Sequence, residues 1–209
     1  MTIKNNLLDF WSTLASSEQD WKILKKDDLT CLKPSIKFKY LNLAWGIRTL
    51  EALKEAQNFF QKNDFIIYSE ENVLDNHLLK MDQEVEMQLS LDDFSAQALQ
   101  KNVKISKVKT EEDFEKFINI SAQIFLIPKS DFYQFLYPAR HITPMFLAWC
   151  DDKPVGTSQF FKDMYQFAGL QTIGVIEELR RRGIGRALTE ACLVEAKFQG
   201  CIGAGLCAS

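Results

Sequence analysis

The chain has 209 residues, 46% of them hydrophobic and 12% aromatic, and carries a net charge of −3 at neutral pH. This apolar share supports a packed core and excludes disorder, and the slightly acidic balance argues against nucleic acid as the main partner. There is no apolar run of membrane length and no export signal in Met1–Asn6, so the reading is a cytoplasmic protein of one large or two small domains, with no membrane association.

The N-terminal half alternates in pattern. Leu7, Leu8, Trp11 and Leu14 recur at helical spacing, and Trp21, Leu24 and Leu29 give a second, weaker helical pattern. Pro34 breaks the chain. Ile36, Phe38 and Tyr40 alternate with lysines as a half-buried strand that runs on through Trp45 to Gly46. Thr49 is an N-cap for a helix from Leu50 to Lys62. A strand at Phe65–Tyr68, a helix over Glu71–Leu79 and a strand marked by Val85, Met87, Leu89 and Leu91 follow. Strand, helix, strand, helix, strand is an α/β unit. The polar segment Asp92–Asn102 is the expected linker, dividing the chain into residues 1–98 and 99–209.

The C-terminal half opens with a strand at Val103, Ile105 and Val108. Thr110 and Asp113 form a near capping box for a helix over Glu111–Phe125, and Ser130 caps a second helix that Pro138 closes. Met145–Cys150 is a buried strand, Asp151–Pro154 a tight turn and Val155–Phe161 the return strand. A further strand spans Tyr165–Val175. A helix from Ile184 buries Ile184, Ala187, Leu188, Ala191, Cys192 and Phe198. Gly200 ends it, and Cys201–Cys207 is a last, glycine-rich strand.

Between the last two long elements lies Glu178-Leu179-Arg180-Arg181-Arg182-Gly183-Ile184-Gly185-Arg186-Ala187-Leu188, which holds four of the chain's six arginines. Strand, glycine-rich turn and helix is a layout that binds phosphate. The glycines let the backbone approach an anion, and the free N–H groups and dipole of the helix start point at it. Arginine adds fixed, bidentate charge. No Gly-Lys-Ser/Thr follows, as a Walker loop requires, and no acidic strand lies beyond, as a Rossmann fingerprint requires.

Arg180-x-x-Gly183-x-Gly185, with Thr172–Val175 before it and Ala187–Ala191 after it, resembles the cofactor signature of the GNAT superfamily of acyl-CoA N-acyltransferases. The hairpin of a hydrophobic strand, an acidic turn and Lys153-Pro154-Val155-Gly156 resembles that family's second and third strands. Glu177 stands where many members have proline. The resemblance implies a mixed α/β sheet of the GNAT fold over residues 99–209, lacking the family's last helix and strands, and preceded by a smaller, GNAT-like α/β lobe. It also implies acetyl-CoA as co-substrate and a primary amine of a small molecule or peptide as acceptor. The loop residues Arg180, Arg181, Arg182, Gly183, Ile184, Gly185, Arg186 and Ala187 would hold the pyrophosphate. Backbone groups of Ile173, Gly174 and Val175 would hold the pantetheine arm and the acetyl oxygen.

No catalytic base is identifiable. The family's frequent acidic position falls on Gly169. Gln166 and Gln171 cannot take a proton, Tyr165 is at best a donor, and His141 reads either as an exposed loop histidine or as part of the acceptor pocket. The five cysteines include no C-x-x-C pair and only two histidines are present, so no metal site is expected and the thiols read as buried and reduced. Two function classes follow: an N-acetyltransferase, or a catalytically degenerate relative that binds acyl-CoA as a sensor or interaction module. The glycine-rich last strand would leave an unpaired sheet edge. Residues 1–98 are expected to cover it, a homodimer being the alternative.

Overall fold

The computed structural model describes residues 3–17, 21–34, 42–61, 63–68, 85–92, 94–97 and 102–208. The chain divides into two compact units, Leu8–Gln83 and Met1–Leu7 with Glu84–Ser209.

Helix α1 (Ile3–Ser17), of which residues 3–7 belong to the second unit and the rest to the first, follows the periodicity of Leu7, Trp11 and Leu14. The second helical pattern does not form a helix. Residues Lys22–Lys26 (β1) and Leu29–Lys33 (β2) pair as an antiparallel hairpin. Asp27 turns it with φ of 49°. The lysines of β1 stay in solvent while Leu29, Cys31 and Leu32 are buried. A two-residue turn and a half-buried face outweigh a weak 3.6-residue spacing. Strand β3 (Leu43–Trp45) is antiparallel to β2 and parallel to β4 (Ile66–Tyr68). Helix α2 (Leu50–Phe60) joins β3 to β4, and the Thr49 hydroxyl accepts from the Ala52 N–H, as a cap should. Leu53, Ala56 and Phe60 of α2 pack with Leu29, Cys31, Ala44 and Ile47. The strand expected at Ile36–Tyr40 and the helix expected at Glu71–Leu79 lie outside the described residues.

The second unit is a six-stranded sheet in the order β5-β10-β9-β8-β7-β6. Its strands are β5 (Val85–Ser90), β6 (Val103–Lys107), β7 (Met145–Cys150), β8 (Lys153–Lys162), β9 (Phe167–Val175) and β10 (Gly203–Ala208). All neighbours are antiparallel except β9 and β10. Helix α3 (Glu111–Phe125) has the full Thr110–Asp113 capping box and packs with α4 (Lys129–Ala139). Helix α5 spans Ile184–Phe198. On β8 the Ser121 hydroxyl of α3 donates to Thr157 Oγ1 at 3.3 Å, while the Ser158 hydroxyl donates to the Leu188 carbonyl of α5 at 3.2 Å. Successive strand residues point to opposite faces, so α3 and α5 cover opposite faces of the sheet. Helix α4 begins at Lys129 after Pro128, not at a Ser130 cap, and Pro138 is accommodated in its last turn. Phe198 is 86% exposed and Leu193 and Ala196 are buried instead, because the apolar stripe of α5 runs out before its last residue.

The sequence places the strand marked by Val85, Met87, Leu89 and Leu91 in the N-terminal lobe. It pairs instead with β10 over six positions, from Gly203 opposite Ser90 to Ala208 opposite Val85. The glycine-rich strand is therefore an interior strand, and its edge is covered from within the chain. The expected linker is also fastened: the Lys197 ammonium donates to the carbonyls of Asp92 and Phe94, and the Gln97 N–H donates to Glu190. Gly205 is demanded by packing, since a Cβ there would lie 2.9 Å from the Met87 carbonyl oxygen and 3.0 Å from the Phe167 ring.

Prolines at both 87 and 88 remove at least one β5 N–H that faces β10, whichever parity points inward. The double variant is expected to self-associate with rising concentration in gel filtration, through the uncovered β10 edge. A monodisperse variant would show that β10 tolerates a free edge.

Candidate functional site

Strands β9 and β10 part company early. They pair only at Phe167–Gly203, Ala168–Ala204 and Gly169–Gly205. Beyond Gly169, β9 continues to Val175 with β8 as its partner on the other side. A register shift between Thr157 and Gln159 bulges β9 there, and Thr172 has φ of 54°. The Thr157 hydroxyl donates to the Thr172 carbonyl at 3.1 Å and holds the bulge. One side of Leu170–Val175 thus has no strand partner among the described residues. Gly174 sits against α3: a Cβ there would lie 2.5 Å from Ile124 Cγ2. Ile173 and Gly174 are half-buried and Val175 is buried.

The loop grows directly out of β9. After Ile176, Glu177–Leu179 form one 3-10 turn, in which both glutamates are exposed. Arg180 turns back, and its Nε donates to the Val175 carbonyl at 3.1 Å. Arg181 takes φ of 63° and Gly183 φ of 72°. Gly183 is the N-cap of α5, and no side chain caps the helix. The N–H groups of its first turn therefore face outward with the positive end of the dipole. A Cβ on Gly185 would meet only Val175 Cγ2, at 3.8 Å. The protein itself thus leaves room for a side chain at 185, and what a side chain would fill is the space in front of the helix start. The fit to an anionic, phosphate-bearing group is good on these observations.

The four arginines differ in employment. Arg180 closes the loop onto β9, and Arg186 is ion-paired to Glu190 at 2.8 Å, one helical turn on. Arg181 and Arg182 are exposed, and neither has an ion-pair partner among the described residues. Ile184 and Ala187 are buried and anchor the first turn of α5.

Around the start of β9 the chemistry is polar but not basic. Asn6 of α1 fills the space left by Gly169, its Oδ1 lying 1.8 Å from where a Cβ would stand. Its Nδ2 donates to the Phe161 and Phe167 carbonyls and to Asp163 Oδ2. Gln159 and Gln171 are register partners on β8 and β9. Both amide atoms of the fully buried Gln159, Gln171 Nε2 and Asn6 Oδ1 have no hydrogen-bond partner among the described residues. Each such buried, unpaired polar atom costs about 1–3 kcal/mol. Sequence reading passed over Asn6 and Gln159; Gly169, where a larger residue was expected, was the one signal that something else fills that place. Tyr165 and Gln166 form the β8–β9 turn, at the opposite end of β9 from the loop. His141 lines a cavity of about 420 Å³ with Lys107, Arg140 and Met145, at the Met145 end of β7. The loop follows Val175 at the Ala148 end of that strand. Burial pushes the Cys192 thiol up to about 12 and raises that of Cys201 as well, so neither is a ready nucleophile. Among the described residues no group of three or more His, Cys, Asp or Glu could hold a metal ion.

Residues 112–207 match the acetyltransferase (GNAT) family. A solved structure described as a GCN5-related N-acetyltransferase from Kribbella flavida superposes with a TM-score of 0.73 at 16% identity, covering 99% of this chain and 84% of that one. A GCN5-related N-acetyltransferase from Sphaerobacter thermophilus superposes with a TM-score of 0.52 at 20% identity, covering 59% of this chain and 41% of that one. At these identities the two structures speak for the fold. No curated protein matches the chain.

The unequal arginines are testable without any ligand. Arg180→Ala is expected to lower stability by about 1 kcal/mol, the net worth of one partly buried hydrogen bond. Arg181→Ala is expected to stay within about 0.5 kcal/mol, as for exposed sites. Urea denaturation of the two variants measures both, and equal effects would contradict a fastening role for Arg180.

Proposed function

We propose, for a chain whose residues 112–207 form a GNAT-type acetyltransferase domain, that the protein transfers an acetyl group from acetyl-CoA to a primary amine of a small molecule or peptide in the cytoplasm. The observation that carries this reading is the continuity of two features. The side of β9 from Leu170 to Val175 that β10 leaves leads directly into an uncapped helix start flanked by two arginines without an ion-pair partner among the described residues. One accepts an extended amide-bearing arm, the other a pyrophosphate.

In this reading the N–H groups at the start of α5, from Gly183 to Arg186, bind the pyrophosphate, with Arg181 and Arg182 adding charge. Arg180 holds the loop against Val175 and keeps those groups in place. Backbone of Ile173, Gly174 and Val175 orients the pantetheine arm and polarises the acetyl carbonyl. Acetyl-CoA supplies the thioester: the amine nitrogen bonds to its carbonyl carbon, the C–S bond breaks, and the thiol leaves with a proton. The raised Cys192 and Cys201 thiols argue for direct transfer to the amine over an acyl-cysteine intermediate. Holding the amine against the carbonyl supplies much of the rate, and its proton leaves through water.

One observation favours the second reading, an acyl-CoA-binding module without turnover. At Gly169 the space for an acidic side chain is occupied by Asn6, which cannot serve as a base. Thiol release measured over a panel of amines separates the two readings, and calorimetry with acetyl-CoA alone tests what they share.

Gly185→Asp is expected to abolish acetyl-CoA binding in calorimetry with the melting temperature preserved, because the protein has room for the side chain and the ligand does not. Replacing Arg181 and Arg182 together is expected to weaken acetyl-CoA by about tenfold or more, and acetyl-pantetheine, which lacks the pyrophosphate, far less. Unchanged affinity in the first variant, or equal losses in the second, would remove the phosphate role of the loop.

A further inference from the structure

Strands β8 and β9 carry, on the face covered by α3, a row of polar groups that the pyrophosphate loop does not use. Thr157 looks to Ser121 of α3, and Gln159 follows on the same face by strand alternation. Gln171 stands opposite Gln159, and Asn6 occupies the next place along, over Gly169. The unpaired atoms, Gln159 Oε1 and Nε2, Gln171 Nε2 and Asn6 Oδ1, therefore fall at neighbouring positions of two strands. Gln159 is fully buried and Gln171 half-buried with its Nε2 enclosed, so Gln171 is the more solvent-near of the two amides. Gln171 is also two residues past Gly169, the last β9 residue paired with β10, which sets it at the mouth of the gap in the sheet.

We propose that this row is the acceptor subsite, and that it recognises an uncharged hydrogen-bonding group, a carboxamide or peptide unit, beside the amine that is acetylated. The inference rests on the acetyltransferase reading above and narrows its substrate class. The amide of Gln171 pairs an enclosed, unpartnered donor, Nε2, with an acceptor, the complement of another amide. Gln159, its register partner on β8, is a positioning residue that backs Gln171. A carboxylate or phosphate on the acceptor would need a cation, and the row has none among the described residues. Lys162 of β8 is directed away, donating to the Gln199 carbonyl beyond α5. The row's carboxyl group, Asp163, accepts from the N–H groups of Tyr165 and Phe167 and from Asn6. It adds negative charge, which opposes an anionic acceptor further.

The test uses the full chain, saturating acetyl-CoA, and glycinamide and glycine as paired acceptors. The quantity read is the ratio of their kcat/KM values, compared between proteins so that the difference in amine basicity cancels. Gln171→Leu is expected to lower the glycinamide-to-glycine ratio about tenfold, the scale of one lost hydrogen bond to a neutral partner. The loss should fall on KM for the acceptor, with KM for acetyl-CoA unchanged. Gln159→Leu is expected to act in the same direction and more weakly. Both variants should melt no lower than the wild type, because leucine replaces an amide that the protein leaves unpaired. A ratio unchanged in both variants overturns the subsite while leaving acetyl transfer standing. Absence of acetyl transfer to any amine by the wild type overturns the acetyltransferase reading and this inference with it.

Discussion

The second unit depends on the separation of two parallel strands. β9 and β10 share three positions and then diverge. Continuing the pairing would have gained roughly 0.5–1.5 kcal/mol per backbone hydrogen bond. The bulge at Thr172, with its positive φ, is what turns β9 away. The Thr157 hydroxyl satisfies the carbonyl that the bulge exposes, and Ser121 of α3 in turn satisfies Thr157. A helix on one face of the sheet thereby holds open a gap between two of its strands. Gly174 completes the arrangement, since a Cβ there would force the Ile124 side chain of α3 to shift.

That gap is tolerable because β10 is secured from its other side. A strand of Gly203, Ala204, Gly205, Leu206 and Cys207 has little side chain with which to hold itself in place. Six paired positions with β5 do so, and the glycines are what allow the Met87 carbonyl and the Phe167 ring to come close. Substituting Gly205 would thus disturb both neighbours of β10 at once.

At the other end of the gap, the loop separates two tasks among residues of one type. Arg180 and Arg186 spend their charge inside the protein, on Val175 and Glu190. Arg181 and Arg182 keep theirs for solvent or ligand. Gly183 supplies a left-handed turn, while Gly185 supplies only emptiness, because its φ is not positive and its neighbours are at ordinary distance. The same residue type thus meets a conformational need at one position and a ligand's steric need two positions later.

Elements whose signals are local were legible in the residues alone. The capping box of Thr110 and Asp113, the Asp151-Asp152 turn, the strand at Met145–Cys150, the loop and the helix from Ile184 all stand where the spacing put them. Their free energies are decided within a few residues by caps, turns and periodicity. Trp21–Leu29 misled because three apolar residues at helical spacing are a weak signal beside a tight turn. Only tertiary structure decided which sheet Val85–Ser90 joins, since a half-exposed strand of alternating residues fits either sheet and pairing is settled by its partner. Only tertiary structure, likewise, put Asn6 over Gly169 and set Gln159 beside Gln171. Sequence separations of more than 150 residues in the first case, and a bulged register in the second, leave no mark on local spacing.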